Sequence, residues 1–425
     1  MERFKDIPDL AKWKALIIDY GIELAEKSIF NNLPNINDYK IKYRIKHPEV
    51  KGLKVTDNSG DIFFIPEEII ISKNGKKSLV KLNYRKNSPL VLSIEDGKIV
   101  LLEKGITKVS ISIELVKKRK YQFHKMPKEL NPLEPSLKDF VQVIGLDRIA
   151  IMEFEGCWHW NTGNACKFCD TNPKRPGIIS GMPSVNTLSD YNLNVDDWWN
   201  SVKDNYYQGI EYTFKKILQE EIISPHQHFQ LMSGNLPNTR KIWEISGEIA
   251  EVVNRVRPIK QFDSYLNIAA PREDQEQWLS KAKYDWGFNN MVFNLEVIGR
   301  DRFREVCPGK SALMGYENTI NCMEMSVKIF GRGNVRSNFV LGAQPVDELL
   351  RGIEDLAEKG IVADYSIFSP KKGTPWEDRT SPDMETIVNF SQELAKIYKK
   401  YGYSGIYCSL SSRSNILHEL MESEE

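Results

Sequence analysis

The sequence predicts an α/β protein, with a parallel sheet over about residues 145–380 and a smaller helix-plus-β part before it. Three observations carry this expectation. From about residue 140, strand-like apolar runs alternate with helical runs, the pattern of strands joined by crossover helices. Between about 50 and 125, short strand-like runs follow one another with turn residues between them. Three of the six cysteines fall within thirteen positions, directly after the first strand-like run of the second part. In barrels of parallel strands, reactive groups gather at the strand C-terminal ends.

Length and composition set the bounds. A chain of 425 residues suggests two or three domains, and 41% hydrophobic with 27% charged residues is ordinary for a globular protein. Lys+Arg and Asp+Glu are both 58, so a net charge of zero gives no electrostatic case for nucleic acid or an anionic membrane as partner. No run of eighteen apolar residues is present, so no membrane span is expected. Residues 1–6 carry no apolar signal core. Six cysteines in so long a chain are not a disulfide scaffold, and a soluble cytoplasmic protein is the expectation.

Residues 1–130 read as an accessory domain. Leu10, Trp13, Leu16, Ile17, Tyr20 and Leu24 recur at helical steps. Strands are expected near 61–65, 79–82, 90–94 and 109–113, with turns at 58–60, at Asn74-Gly75 and at Asp96-Gly97. Pro127, Pro132 and Pro135 mark a linker that runs through 131–144. In the domain at 145–380, strands are expected near 147–155, 227–233, 259–269, 290–297, 334–341 and 361–368. Helices fill the gaps near 195–222, 239–255, 273–283, 312–330 and 346–358, with another near 382–400. The first opens on Asn194 as N-cap with Asp196 and Asp197 in its first turn. Residues 381–425 read as a C-terminal helical and strand extension. Six strand–helix units suit a partial barrel and a doubly wound sheet alike.

The chemistry concentrates in Cys157-x8-Cys166-x2-Cys169. Thiolates are soft ligands, and three on one loop can hold three irons of a cubane cluster, leaving the fourth iron to a small molecule. Two other readings stand beside this one. The three thiolates with His159 could form a Cys3His zinc site, or the cysteines could simply pack in the core. Cys307, Cys322 and Cys408 are spread apart with no CxxC, so a second cluster is not expected. Cys408 follows the apolar run Gly405-Ile406-Tyr407 and is the candidate hydrogen-atom donor to a substrate.

The cysteine loop resembles that of the radical S-adenosylmethionine (radical SAM) superfamily, where three cysteines follow the first barrel strand. Phe168 stands where the family has an aromatic residue before the third cysteine. The first spacing departs from the family: eight residues replace the usual three, which leaves the subfamily undefined. The resemblance continues along about residues 145–380. Ser233-Gly234-Asn235 holds the place of the segment whose backbone receives the cofactor's amino group. Glu296 matches the acid that contacts the cofactor ribose, and Arg302 or Arg304 the base that pairs with its carboxylate. The apolar end of Asn338-Phe339-Val340-Leu341, Leu341 included, would pack the adenine. Pro370-Lys371-Lys372-Gly373-Thr374-Pro375 matches the family's P-x-x-G-T-P turn.

What the resemblance implies is a partial (β/α)6 TIM-type barrel. Cys157, Cys166 and Cys169 would hold a [4Fe-4S] cluster that reductively cleaves S-adenosyl-L-methionine, and a hydrogen atom would be taken from the substrate. The implied partners are a small-molecule or peptide substrate and a one-electron reductant such as flavodoxin or ferredoxin. No D-x-H-x-x-G cobalamin motif is present.

Overall fold

Apolar runs rich in β-branched and aromatic residues build one seven-stranded sheet. Its strands are β1 (Gln142–Ile144), β2 (Arg148–Met152), β3 (His228–Met232), β4 (Asp263–Asn267), β5 (Asn290–Val292), β6 (Val335–Leu341) and β7 (Ile361–Ile367). They lie in sequence order; β1 runs antiparallel to β2, and all later neighbours are parallel. The computed structural model describes residues 7–30, 33, 35–42, 55–56, 62–63, 65–104, 107–171, 181–220, 228–404 and 412–422.

The strand order separates the two folds that the sequence left open. Helices Val195–Gln219, Thr239–Val256, Gln275–Ser280, Tyr316–Phe330 and Val346–Glu358 fill the successive crossovers. Right-handed crossovers place such helices on one face for as long as the order does not reverse. A doubly wound sheet contains a reversal, and this sheet has none. Twist and one-sided cover curl the sheet. Among the described residues it stays open, with β1 and β7 as its two edges. Buried on both sides, the strands are nearly continuous apolar runs: Ile149-Ala150-Ile151, Met291-Val292 and Ile361-Val362-Ala363 are all buried.

The helices follow from their caps and spacing. The side chain of Asn194 accepts from Asp196 N at 2.8 Å, and that of Asn238 from Lys241 N at 2.8 Å. Trp198, Tyr206, Ile210, Phe214 and Ile217 then face the sheet at steps of three, four and eight.

Four expected boundaries move. The strand expected over 259–269 starts only at Asp263, since Pro258 opens a short 3-10 turn. β5 ends at Val292, and Glu296 beyond it takes φ +68°. Residues 300–313, read as loop up to 312, form the helices Arg300–Val306 and Pro308–Leu313, the second with Pro at its first position. Residues 142–144, read as the end of a linker, are an edge strand of the sheet.

The chain divides into two compact units. One comprises Arg119–Thr380 with Ile397–Tyr407 and contains the sheet; the other comprises Met1–Lys118, Ser381–Lys396 and Cys408–Glu425. In the latter, helix Asp9–Tyr20 accompanies the hairpins Glu68–Lys73/Lys76–Lys81 and Leu90–Glu95/Lys98–Glu103. Asn74-Gly75 and Asp96-Gly97 turn them, each residue with positive φ, as two-residue hairpin loops require. The strand expected at 109–113 begins at Ser112. The turn at 58–60 lies outside the described residues. Buried Lys14 pairs with Glu419 at 2.8 Å, so part of the C-terminal stretch belongs to this unit. No described helix is long and apolar enough to cross a membrane.

Candidate active site

The cysteine loop is pinned at both flanks by backbone contacts. On the first flank, Glu153 N donates to Met232 O at 2.9 Å and carries the β2–β3 ladder one step past the strand. Gly156 then turns with φ +94°. A Cβ on Gly234 would stand 2.0 Å from Gly156 O, so the end of β3 reaches the loop only because residue 234 is glycine. Trp158 N donates to Asn235 O at 2.8 Å, and Asn235 Nδ2 lies 3.9 Å from Cys157 Sγ. Gly234 and Asn235 therefore seat the first cysteine. Ser233 Oγ beside them is buried without a hydrogen-bond partner.

On the second flank, Lys167 N donates to Val306 O and Gly309 N to Asn164 O, both at 2.9 Å. A Cβ on Gly309 would meet His159 Cγ at 2.3 Å and Asn164 O at 2.6 Å. The Pro308-Gly309 helix start thus lies flat against the loop. Cys169 N donates to Cys166 O at 3.1 Å, and Cys169 Sγ lies 3.2 Å from Thr171 Oγ1. Trp376, after the 370–375 turn, donates its N–H to Lys167 O at 3.1 Å and packs its ring 6.3 Å from that of Phe168. The turn matched from sequence is therefore a third clamp on the loop, and Phe168 is the residue it grips.

The three thiols feel one another. Burial pushes Cys157 up, with Cys166 adding to it. Burial and Cys166 push Cys169 up to about 12. The neighbouring Cys307 thiol and burial push Cys166 well up. Each thiol gives up its proton reluctantly until a metal replaces it, as ligand thiols do. Among the described residues, no three or more His, Cys, Asp or Glu side chains gather around a point as the ligands of a single ion. A cubane, by contrast, takes its thiolates on separate irons and needs them further apart. His159 does not join the cysteines: its ring lies on Gly309, and its Nε2 is buried without a partner. Burial, with help from Lys310, lowers it to about 4, so it is neutral near pH 7.

Glu296 is buried at the rim, and its partner was missed from sequence. Lys310 Nζ donates to Glu296 Oε1 at 2.5 Å and to Asn294 O at 3.1 Å. Burial opposes the ammonium, but Glu296, Cys166 and Cys307 together hold it above its ordinary range. The signal was present in Cys307-Pro308-Gly309-Lys310, where a proline at a helix start places a lysine one turn in. Arg302 and Arg304 stand elsewhere. Arg302 pairs with Glu348 at 3.4 Å, and Arg304, 72% exposed, with Asp301 at 3.0 Å. The cation at Glu296 is Lys310, and neither arginine reaches it.

Other expected residues divide in the same way. Leu341 is buried at the end of β6, where Phe368 N donates to its carbonyl at 2.9 Å. Gln344, in the following turn, accepts from Ile298 N at 2.6 Å and leaves Nε2 without a partner. Cys408 lies outside the described residues. Glu153 was not singled out from sequence; it is fully buried at the end of β2, bonded by Ser246 Oγ, and burial raises its carboxyl to about 8.

Beside the loop opens a cavity of about 540 Å³. Trp158 and Trp278 supply flat apolar walls; His159, Asn238, Arg240 and Arg272 supply polar ones. Its size and mixed lining suit a small molecule.

No family model matches the chain. Over 130 residues, 30% of its length, it is 33% identical to bacteriochlorophyllide c C-7(1)-hydroxylase of Chlorobaculum limnaeum, and the match spans 31% of that relative. Among solved structures, HydG, a maturase of the [FeFe]-hydrogenase, superposes with a TM-score of 0.41 at 14% identity, covering 63% of this chain and 53% of that one. A radical SAM methyltransferase from Sphaerobacter thermophilus gives a TM-score of 0.41 at 11% identity, covering 89% and 82%.

Proposed function

We propose that this chain is a radical SAM enzyme that holds a [4Fe-4S] cluster on Cys157, Cys166 and Cys169 and takes a hydrogen atom from a small-molecule substrate. One observation carries the reading: Cys157, Cys166 and Cys169 sit on one loop clamped to the C-terminal ends of parallel strands. The donor set suits the cluster chemically, being three soft sulfurs on one loop. Orphaned polar atoms fit a polar co-substrate, since Ser233 Oγ and Gln344 Nε2 are buried without partners. Six parallel strands in sequence order support the partial (β/α)6 barrel on which such sites are built.

When bound, the cluster supplies one electron for reductive cleavage of S-adenosyl-L-methionine. The chain's own part is burial and alignment. Gly234 and Asn235 fix the first cysteine and present backbone carbonyls beside it. Lys310, charged and oriented by Glu296, is the cation available for a carboxylate, and Glu296 keeps a second oxygen for hydroxyl donors. Leu341 and Phe168 offer apolar surface. The matched relative is named for hydroxylation of a bacteriochlorophyllide. The cavity between Trp158 and Trp278 likewise suits a flat substrate with polar substituents. A flavodoxin or ferredoxin is the matching reductant, and a reducing compartment such as the cytoplasm suits the cluster.

Anaerobic reconstitution tests this. The expected product is brown, with about four iron and four sulfide per chain. It releases 5′-deoxyadenosine from S-adenosyl-L-methionine when reduced. A colourless protein with one zinc would overturn the reading.

A further inference from the structure

The cavity beside the cysteine loop is built in part by the spacing that sets this chain apart. Of the eight residues between Cys157 and Cys166, Trp158, His159, Thr162 and Asn164 line it. A spacing of three has too few residues to make this wall. The rest of the lining comes from residues 236–240 at the start of helix Thr239–Val256, from the turn at 271–274 with Trp278, and from helix Pro308–Leu313.

Two of its walls are flat and held in place. Trp158 N is tied to Asn235 O at 2.8 Å. The ring of Trp278 packs 5.9 Å from that of Trp243 and 6.4 Å from that of Trp286, centre to centre. Indole faces of this kind stack ring systems.

The polar groups are divided by wall. His159 is 5% exposed, and a Cβ on Gly309 would meet its Cγ and Nδ1; its Nε2, on the opposite edge, has no partner. An unpaired buried nitrogen on a cavity wall calls for a ligand group. At the helix start, the amides of Thr239 and Arg240 have no partner among the described residues, and the positive end of an 18-residue helix favours an anion. Arg240, 77% exposed, bonds Glu244 through Nε at 3.0 Å and keeps its terminal nitrogens for the mouth. The acids of the lining, Glu273 and Asp274, belong to the turn, where Arg272 precedes them. The helix start is therefore cationic, and the turn is mixed.

We propose that this cavity takes a flat, ring-shaped substrate that bears a carboxylate, and that the long cysteine spacing serves its recognition. The ring lies against Trp158 and Trp278, one polar ring atom meets His159 Nε2, and the carboxylate meets Arg240 and the helix start. That this ligand is the substrate rests on the hydrogen-abstraction reading above; the cavity's preference for a ring with a carboxylate is measured separately.

The test uses naphthoate and naphthylmethylamine, rings of one shape with opposite charge. Calorimetry is run on the full-length, anaerobically reconstituted protein, and iron is assayed in the same samples. Wild type is expected to bind naphthoate about tenfold or more tightly than the amine, as for a charge-assisted bond. Arg240→Gln, a change at an exposed position, removes that preference and leaves iron content as it was. Trp278→Ala weakens both probes alike. If that variant does not fold, Ala312→Trp narrows the same cavity from an exposed position and is read the same way. A wild type that binds neither probe, or the amine as tightly as naphthoate, overturns the proposal. So does a preference that survives Arg240→Gln, or binding that is untouched when Trp278 or Ala312 is changed. A protein that prefers naphthoate but takes up no cluster sinks the cluster reading and leaves the pocket standing; a brown protein without the preference does the reverse.

Discussion

The two ends of the parallel strands are built on opposite terms. At the N-terminal end, polar groups are paired off. His228 lies between Asp147 at 3.3 Å and Asp263 at 3.0 Å, and Asp263 also takes Asn290 Nδ2 at 3.0 Å and Tyr265 OH at 3.1 Å. Arg336 grips Asp364 through two bonds, at 2.7 and 2.8 Å, and adds Tyr398 OH at 3.1 Å. At the C-terminal end, Ser233 Oγ, Gln344 Nε2 and one oxygen of Glu153 have no partner among the described residues, and Glu296 takes a left-handed backbone. Backbone strain and unpaired buried polar atoms are costly, and they persist where a site uses them. One end of the sheet holds the fold together; the other keeps groups ready for ligands.

The most damaging way to break the C-terminal end is to fill Gly234. Cβ there meets a backbone oxygen, which cannot swing aside as a side chain would. Gly234→Val is expected to push the loop off β3 and to drop bound iron to near zero in an iron assay after reconstitution. Retention of full iron would show that Cys157 does not depend on the end of β3.

Arg336→Met breaks the other end. It leaves Asp364 without its buried cation, a change that costs about 3–5 kcal/mol. Chemical denaturation should show this loss, while iron content and cluster spectrum of the folded protein stay as in wild type. A spectral change would mean that the two ends are coupled.

Lys310→Met should behave differently from Arg336→Met. It also strands a buried carboxylate, but it removes the cation proposed to meet the co-substrate. Affinity for S-adenosyl-L-methionine, measured by calorimetry on the reconstituted protein, is expected to fall by about tenfold or more, as for loss of a charge-assisted bond. Adding Glu296→Gln should recover stability and leave affinity low. Recovery of both would reduce the pair to a structural role.

Glu153 offers a pH signature. The folded state keeps its proton up to about pH 8, whereas a free carboxyl loses it near 4.5. Stability from this group is therefore fully present below 4.5 and is lost as pH rises through 8. Glu153→Gln should flatten the fall in melting temperature between pH 5 and 8. An unaltered slope would place an ion or a base at its unpaired oxygen.

Much of this was legible in the chain because it rests on local patterns. Alternating apolar runs marked all six parallel strands, and Asn194 marked the start of its helix. Cys157, Cys166 and Cys169 stood out by spacing. Strand order did not, since hydrophobic periodicity is the same in a curled sheet and a doubly wound one. The Lys310–Glu296 pair was hidden for a related reason: it depends on two short helices between 300 and 313, each too short for its period to show. The arginines drew attention because charge is visible in sequence and exposure is not.

Those arginines give the smallest expected effect. By resemblance, Arg302 or Arg304 would bind the cofactor carboxylate. In the structure both lie on helix Arg300–Val306 and pair with acids that are themselves exposed, Glu348 and Asp301. Exposed pairs of this kind contribute ~0–1 kcal/mol. Arg302→Ala and Arg304→Ala are therefore expected to keep wild-type affinity for S-adenosyl-L-methionine and melt within about 2 °C of wild type. The contrast with Lys310→Met is the informative part, because all three substitutions remove one positive charge from the same stretch. A general electrostatic attraction would weaken binding equally in all three. A directed contact weakens it in Lys310→Met alone, and a drop in either arginine variant that matches Lys310→Met would return the carboxylate to the helix surface.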